Sequence, residues 1–135
     1  RGLPILTPSE RRLLLEEWNA TGTEYPANRC LHELVGEQVE RTPGAVAVVF
    51  GDARWSYREL WERAVAVAGS LRSLGVGPGA LVGVFVERSA DMVVAVLGVL
   101  RSGAAYVPMD PMFPRERLGW MIEDAAMPVI VTQSL

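Results

Sequence analysis

The chain has 135 residues, half of them apolar, and a net charge of −3, which suits one modest domain or part of a larger one and excludes a disordered tail. All thirteen basic residues are arginine. This excludes a P-loop lysine, a Schiff-base lysine or an adenylate-holding lysine within these residues, and the lack of a basic cluster argues against nucleic acid as a partner.

The start, Arg1 to Arg12, has neither a hydrophobic signal region nor an initiator methionine. Arg1 is therefore expected to be an internal point of a longer polypeptide or a processed end. Thr7-Pro8-Ser9-Glu10 is a capping box with proline at the first helical position, predicting a helix to about Trp18 with Leu13, Leu14 and Trp18 on one face. Residues 19–26 are rich in turn formers and predict a linker; Asn19-Ala20-Thr21 matches a glycosylation sequon by chance. A second amphipathic helix is expected from about Arg29 to Arg41, with Leu31, Leu34, Val35 and Val39 inward and Thr42-Pro43-Gly44 ending it.

The β-branched run Ala45–Phe50, then Gly51-Asp52-Ala53 and Arg54-Trp55, predicts a strand and a tight hairpin. Ser56-Tyr57-Arg58-Glu59 is a second capping box, opening a long helix that ends near Leu74 with Gly75 as its cap; Leu60 begins the buried stripe. After the rigid turn Gly75–Gly79, Leu81–Val86 is a continuous apolar strand. Ser89 is expected to cap a helix over about 90–101 that is apolar nearly all round (Met92, Val93, Val96, Leu97, Leu100) and hence deeply buried. Its run Met92–Leu100 is too short to span a bilayer. Gly103 ends this helix, Ala104–Val107 is another strand, Asp110-Pro111 and Pro114 turn into a helix over about 115–125, and Val129–Thr132 is a last strand. The alternation of continuous apolar strands with helices from Leu81 onward predicts an α/β fold, a largely parallel sheet flanked by helices on both faces with right-handed crossovers.

Few residues invite a chemical role. Gly75-Val-Gly77-Pro-Gly79-Ala80 satisfies the loose dinucleotide pattern, but it follows a helix and precedes a strand, the reverse of a working fingerprint. His32 has no partner that the sequence places against it, as a catalytic base needs. Cys30, the only cysteine, excludes an internal disulfide, gives no metal-ligand spacing and is expected to be a structural thiol. The adjacent acids Glu16-Glu17 and Glu123-Asp124 are expected on different sides of their helices. Asp110 follows the carboxyl end of a parallel strand, where open α/β sheets bind ligands. Its plain alternative is a turn that locks the strand end.

Two stretches, Trp55–Leu60 (W-S-Y-R-E-L) and Val99–Pro111 (V-L-R-S-G-A-A-Y-V-P-M-D-P), resemble in order and spacing the first two core motifs of nonribosomal peptide synthetase adenylation domains, on the adenylate-forming scaffold. Trp55 stands where that family has leucine and Arg101 where lysine is common. The motif positions are Trp55, Ser56, Tyr57, Glu59 and Leu60, then Leu100, Gly103, Ala105, Tyr106, Pro108 and Asp110. Leu31–Val48 resembles the first helix and strand of such a domain, Pro111–Ala125 the helix after the second motif, and Leu6–Pro26 the linker after a condensation domain.

The resemblance implies residues 1–27 as an interdomain linker with one helix and 28–135 as the incomplete N-terminal part of the adenylation core. It implies a cytoplasmic parent that activates an amino acid with MgATP to an aminoacyl adenylate and loads it on the phosphopantetheine thiol of a carrier domain. The parent's partners would be the remainder of the adenylation domain, the condensation and carrier domains, and an MbtH-like activator protein, for which Ala104 and Ala105 offer a small-residue contact. Neither nucleic acid nor membrane is implied. The family's phosphate loop, specificity pocket, ribose-binding aspartate and catalytic lysine lie beyond Leu135, so the motif residues are scaffold, with no catalytic, cofactor or metal residue among them, and the segment alone is expected to be inactive. The alternatives are a free-standing acyl- or aryl-acid ligase on the same scaffold, against which the linker argues, and a non-catalytic fragment completed by a partner chain. A sheet ending at its last visible strand exposes an apolar edge and face, so aggregation or a partner supplying the missing layer is expected.

Overall fold

The computed structural model describes residues 5–133, so the expectation about Arg1 lies outside the described residues. The elements in chain order are α1 (Pro8–Arg12), a π-helical turn (Leu13–Glu17), α2 (Leu31–Arg41), β1 (Val46–Phe50), β2 (Ala53–Ser56), α3 (Tyr57–Ser73), β3 (Leu81–Phe85), α4 (Ala90–Ser102), β4 (Ala105–Pro108), α5 (Arg115–Asp124) and β5 (Val129–Thr132). β1 and β2 form an antiparallel hairpin; β3, β4 and β5 form a parallel sheet in the order β4-β3-β5. Among the described residues, no helix is long and apolar enough to cross a bilayer.

Helix starts and stops follow local chemistry. At α3, the Ser56 backbone N–H and hydroxyl both donate to Glu59 Oε2, at 2.8 and 2.7 Å, while the Glu59 N–H donates to Ser56 Oγ at 3.3 Å. Thr7 and Glu10 make the same box at α1. At α2 the Glu33 carboxylate accepts from the Cys30 N–H. α3 ends in a Schellman motif, with the Val76 N–H on the Leu71 carbonyl and the Gly75 N–H on the Arg72 carbonyl. Gly75 there has φ +81°, a left-handed conformation that favours glycine, and Leu71 and Val76 are buried in one cluster.

Two apolar clusters hold the fold, and α3 and α4 contribute to both. Leu60 and Ala64 of α3 meet Val94 and Leu97 of α4, with Val35 of α2 and the hairpin packed outside them. Leu71 of α3 meets Ala95 and Val99 of α4 and Val82 and Val84 of β3. The helices approach closely because Gly98 has no side chain: a Cβ there would lie 2.6 Å from Val67 Cγ1 and 3.2 Å from the Ala64 carbonyl oxygen. On the other face of β3, a Cβ on Gly83 would meet Met109 and Met127, which flank α5 in sequence. This fits right-handed crossovers with α4 and α5 on opposite sides of the sheet. The α5 face is the less covered one, with no residue of α5 fully buried.

Several expectations need correction. The first helix is not uniformly α-helical: the Trp18 N–H bonds to the Leu13 carbonyl, five residues back, and the Asn19 amide donates to the carbonyls of Leu14 and Leu15. The wider turn brings Glu16 and Glu17 both within 4 Å of Arg12 Nε, at 3.7 and 3.5 Å, so this pair does not diverge. Leu13 and Trp18 stay exposed, and so does Leu31 of α2, because α1 packs chiefly on its own next turn and Leu31 lies at the open start of its helix. Ser89 stands at the N-cap of α4 as expected, but its side chain makes no capping bond; its hydroxyl donates back to the Glu87 carbonyl. α4 is deeply buried on one side only: Leu97 is buried, Val93, Val96 and Leu100 are half-buried, and Met92 is 38% exposed.

Gly98→Ala forces Val67 and α3 apart, and in urea unfolding of the parent protein should cost about 1–3 kcal/mol, the usual range for overpacking. Val67→Ala in the same molecule should recover part of that loss. Gly69→Ala, in α3 with nothing within 4 Å of its Cβ, should instead stabilise by about 0.5–1 kcal/mol.

The capping bonds from the Ser56 N–H, then its hydroxyl, hold the Glu59 carboxyl below the ordinary glutamate value of 4.5. A carboxyl with a lowered folded-state pKa stabilises fully above its unfolded value and loses that contribution as pH falls through the folded one. Unfolding should therefore show wild type more stable than Glu59→Gln at neutral pH, the gap closing as the solution is acidified below 4.5. A gap unchanged by pH would assign Glu59 to packing alone.

Candidate functional site

An open groove of about 640 Å³ lies at the carboxyl ends of β3 and β4. The chain leaves β3 through Val86–Ser89 into α4, and leaves β4 through Met109–Pro111 toward α5. With those helices on opposite faces, the two exits part and open a crevice between neighbouring strands, the topological switch point of a doubly wound sheet. Met92, Val93 and Val96 of α4 form its floor, Val48–Phe50 of β1 one wall, and Tyr106 and Pro108 of β4 the other. A second groove of about 460 Å³ continues between α2, the hairpin and α4, sharing Val48, Met92, Val93, Val96 and Tyr106 with the first.

The first motif sits around the start of α3. Ser56 and Glu59 form the cap, and Leu60 is buried against α4. Trp55, half-buried on β2, carries the Arg63 guanidinium 4.3 Å above its ring centroid. Tyr57 lines the second groove. The second motif spans the end of α4 and all of β4. Gly103 has φ +95° and ends α4, its missing Cβ leaving room for Pro78 at 3.2 Å. This contact also gives the Gly75–Gly79 turn a packing role between α3 and β3. Leu100 is half-buried, and Ala105, Tyr106, Pro108 and Asp110 are exposed.

Asp110 closes a turn: its Oδ1 accepts from the Met112 N–H at 2.9 Å, and its carbonyl accepts from the Phe113 N–H at 2.9 Å. The carboxylate thus lines the groove while locking the strand end. Arg101 stacks its guanidinium 4.4 Å from the Trp61 ring centroid, and Gly36 of α2 lets that indole lie close, a Cβ there falling 3.1 Å away. The planar arginine head suits this stacking better than an ammonium. Ala104 is buried and Ala105 exposed, so the expected small-residue contact narrows to Ala105.

His32 is half-buried on α2 and Cys30 is exposed before it. Among the described residues, no three His, Cys, Asp or Glu side chains cluster as metal ligands. Ser102 is the one buried polar residue among them, its hydroxyl donating to the Val99 carbonyl within α4. The groove is therefore built of apolar walls with Arg88, Ser89 and Asp110 at its mouth. Sequence reasoning found Tyr106, Pro108 and Asp110 through the second motif but missed Phe50, Arg88, Met92 and Val96. The apolar band running right round α4 was the available signal, since such a helix must bury every side against something.

The model of the family described as AMP-binding enzyme matches residues 35–135. Bacitracin synthase 3 of Bacillus licheniformis is 45% identical over 132 residues, which are 98% of this chain and 2% of that protein. The nonribosomal peptide synthetase FmoA3, solved in an AMPPNP-bound form, superposes with a TM-score of 0.81 at 40% identity over 91% of this chain and 13% of its own. The N-terminal subdomain of Klebsiella oxytoca NpsA, in complex with 3-hydroxyanthranilyl-AMSN, superposes with a TM-score of 0.72 at 25% identity over 79% of this chain and 28% of its own. The chain thus spans a small fraction of the relatives it matches. The family match over residues 35–135, with these similarities on the observed α/β unit, identifies the chain as a member of the AMP-binding enzyme family, similar to its nonribosomal peptide synthetases.

Proposed function

We propose that the parent polypeptide is a cytoplasmic nonribosomal peptide synthetase in which this segment is the opening scaffold of an adenylation domain. Residues 1–27 link it to a preceding condensation domain, and residues 28–135 begin the adenylation core. In the parent, the amino-acid carboxylate attacks the α-phosphorus of MgATP and pyrophosphate leaves. The thiol of a carrier domain's phosphopantetheine then attacks the acyl carbon and AMP leaves. The observation that carries this reading is the pair of core motifs, in family order, on an α/β unit that superposes on an AMPPNP-bound peptide synthetase. The segment's own part is mechanical: Ser56 and Glu59 fix the start of α3, and Gly103 and Asp110 fix the two ends of the β4 strand.

A free-standing aryl-acid ligase is the second reading, favoured by the superposition on NpsA bound to 3-hydroxyanthranilyl-AMSN. The lower identity of that match and the condensation-type linker weigh against it.

ATP–pyrophosphate exchange by the parent should depend on one amino acid, and the 135-residue chain alone should give none. Exchange dependent only on an aryl acid would establish the second reading, and exchange by the chain alone would end its assignment as scaffold. For the activator contact, Ala105→Arg in the parent should weaken co-purification with an MbtH-like protein by about tenfold, the loss of one central contact. Undiminished binding would remove Ala105 from that interface.

A further inference from the structure

α2 is held to the rest of the unit unequally along its length. Just past its carboxyl end the backbone is tied down: the Tyr57 N–H donates to the Ala45 carbonyl and the Arg58 N–H to the Pro43 carbonyl, each at 3.0 Å. The first turn of α3 thus fixes residues 43–45. The amino end is different. Residues 19–31 are all exposed, and the backbone bonds of the segment leading into α2 reach only near neighbours, Ala27 to Tyr25 and Arg29 to Pro26.

The helix between these two ends is lightly packed. No residue of α2 is fully buried. Val35 is its contribution to the Leu60 cluster, and Leu31 and Val35 line the second groove of about 460 Å³ instead of a filled core. Its ion pairs join Arg29 to Glu33 and Glu37, and Arg41 to Glu37. All of these lie within the helix and its lead-in, so they stiffen α2 without attaching it to α3 or α4.

One contact crosses at mid-helix. Cη2 and Cζ2 of Trp61, on α3, lie 3.1 and 3.2 Å from where a Cβ on Gly36 would stand. Arg101, at the end of α4, lays its guanidinium 4.4 Å from the centroid of that indole. The Arg101 Nε is buried without a hydrogen-bond partner, so the ring contact is what offsets burial of the charged head. Three helices therefore meet at one stack, and α2 enters it through bare backbone.

We propose that α2 is a hinged arm: it opens from the unit as a separate segment, pivoting at Pro43–Ala45, and the Arg101–Trp61 stack seated at Gly36 is the latch that holds it closed. Stiff in itself, tied at one end and free at the other, the helix has the mechanical parts of a lever. Arg101 stands just before Gly103, so the latch joins the chain entering α2 to the helix end that leads into β4.

Hydrogen–deuterium exchange of the intact parent, read by peptide mass spectrometry, tests this, because a segment that opens alone exchanges faster than the elements around it. Without any substitution, α2 should exchange at least about tenfold faster than α3 and α4. Arg101→Met, which keeps an unbranched stem and removes the cationic head, should speed α2 by a further factor of about ten, as for loss of a partly desolvated cation–π contact, and leave α3 and α4 unchanged. Gly36→Ala pushes the indole from the arm's own side and should give the same local signature. Exchange of α2 at the rate of α3 and α4 in the unsubstituted parent would overturn the hinged arm. Acceleration of all three helices together in both variants would make Arg101 and Gly36 ordinary packing residues, and an α2 unmoved in either variant would leave the latch nothing to hold. Each of these results also overturns the proposal.

Discussion

The close approach of α3 and α4 at Gly98 is the contact on which the rest of the unit depends. Because Val67 and the Ala64 carbonyl occupy the space where a side chain on Gly98 would stand, α3 and α4 lie close enough to share both apolar clusters. One cluster ties α4 to the sheet through Val82 and Val84, and the other ties it to α2 and the hairpin. A wider separation would loosen both at once, since packed interiors do not fill small gaps without loss.

The family motifs gain a physical meaning from this frame. W-S-Y-R-E-L sets the start of α3: two side chains satisfy the orphan donors of its first turn, and Leu60 points the helix into α4. L-R-S-G-A-A-Y-V-P-M-D sets the other end of the same packing unit. There Gly103 turns the chain tightly past Pro78, β4 pairs with β3, and Asp110 closes the exit. Arg101 adds a lateral tie: its guanidinium lies on Trp61, and the Arg72 guanidinium donates to its carbonyl. None of these roles requires contact with a nucleotide or an amino acid.

The groove beside α4 and the first helix both leave apolar surface uncovered. Among the described residues, apolar side chains on both stay exposed, Met92 and Tyr106 in the groove and Leu13 and Trp18 on the first helix, and the chain spans a minor share of the proteins it matches. A helix apolar nearly all round is a costly thing to leave uncovered.

The sequence alone determined the helix boundaries, the hairpin, the parallel class of the sheet and the family, because each rests on short-range chemistry: a capping hydroxyl with a carboxylate three residues on, a glycine at positive φ, continuous apolar runs between helices. It also placed Tyr106 within a short strand and Asp110, in the Pro108–Pro111 turn, after that strand's carboxyl end. Only the tertiary structure decided the rest. It showed the π-helical turn that rotates Glu16 and Glu17 toward Arg12, which depends on hydrogen bonds five residues apart that no apolar period announces. It buried Ala104, just before β4, while exposing its neighbour Ala105, the first residue of that strand. It split α4 into a buried side and an open one, a distinction set by which elements lie against the helix, whose own residues are apolar on both sides.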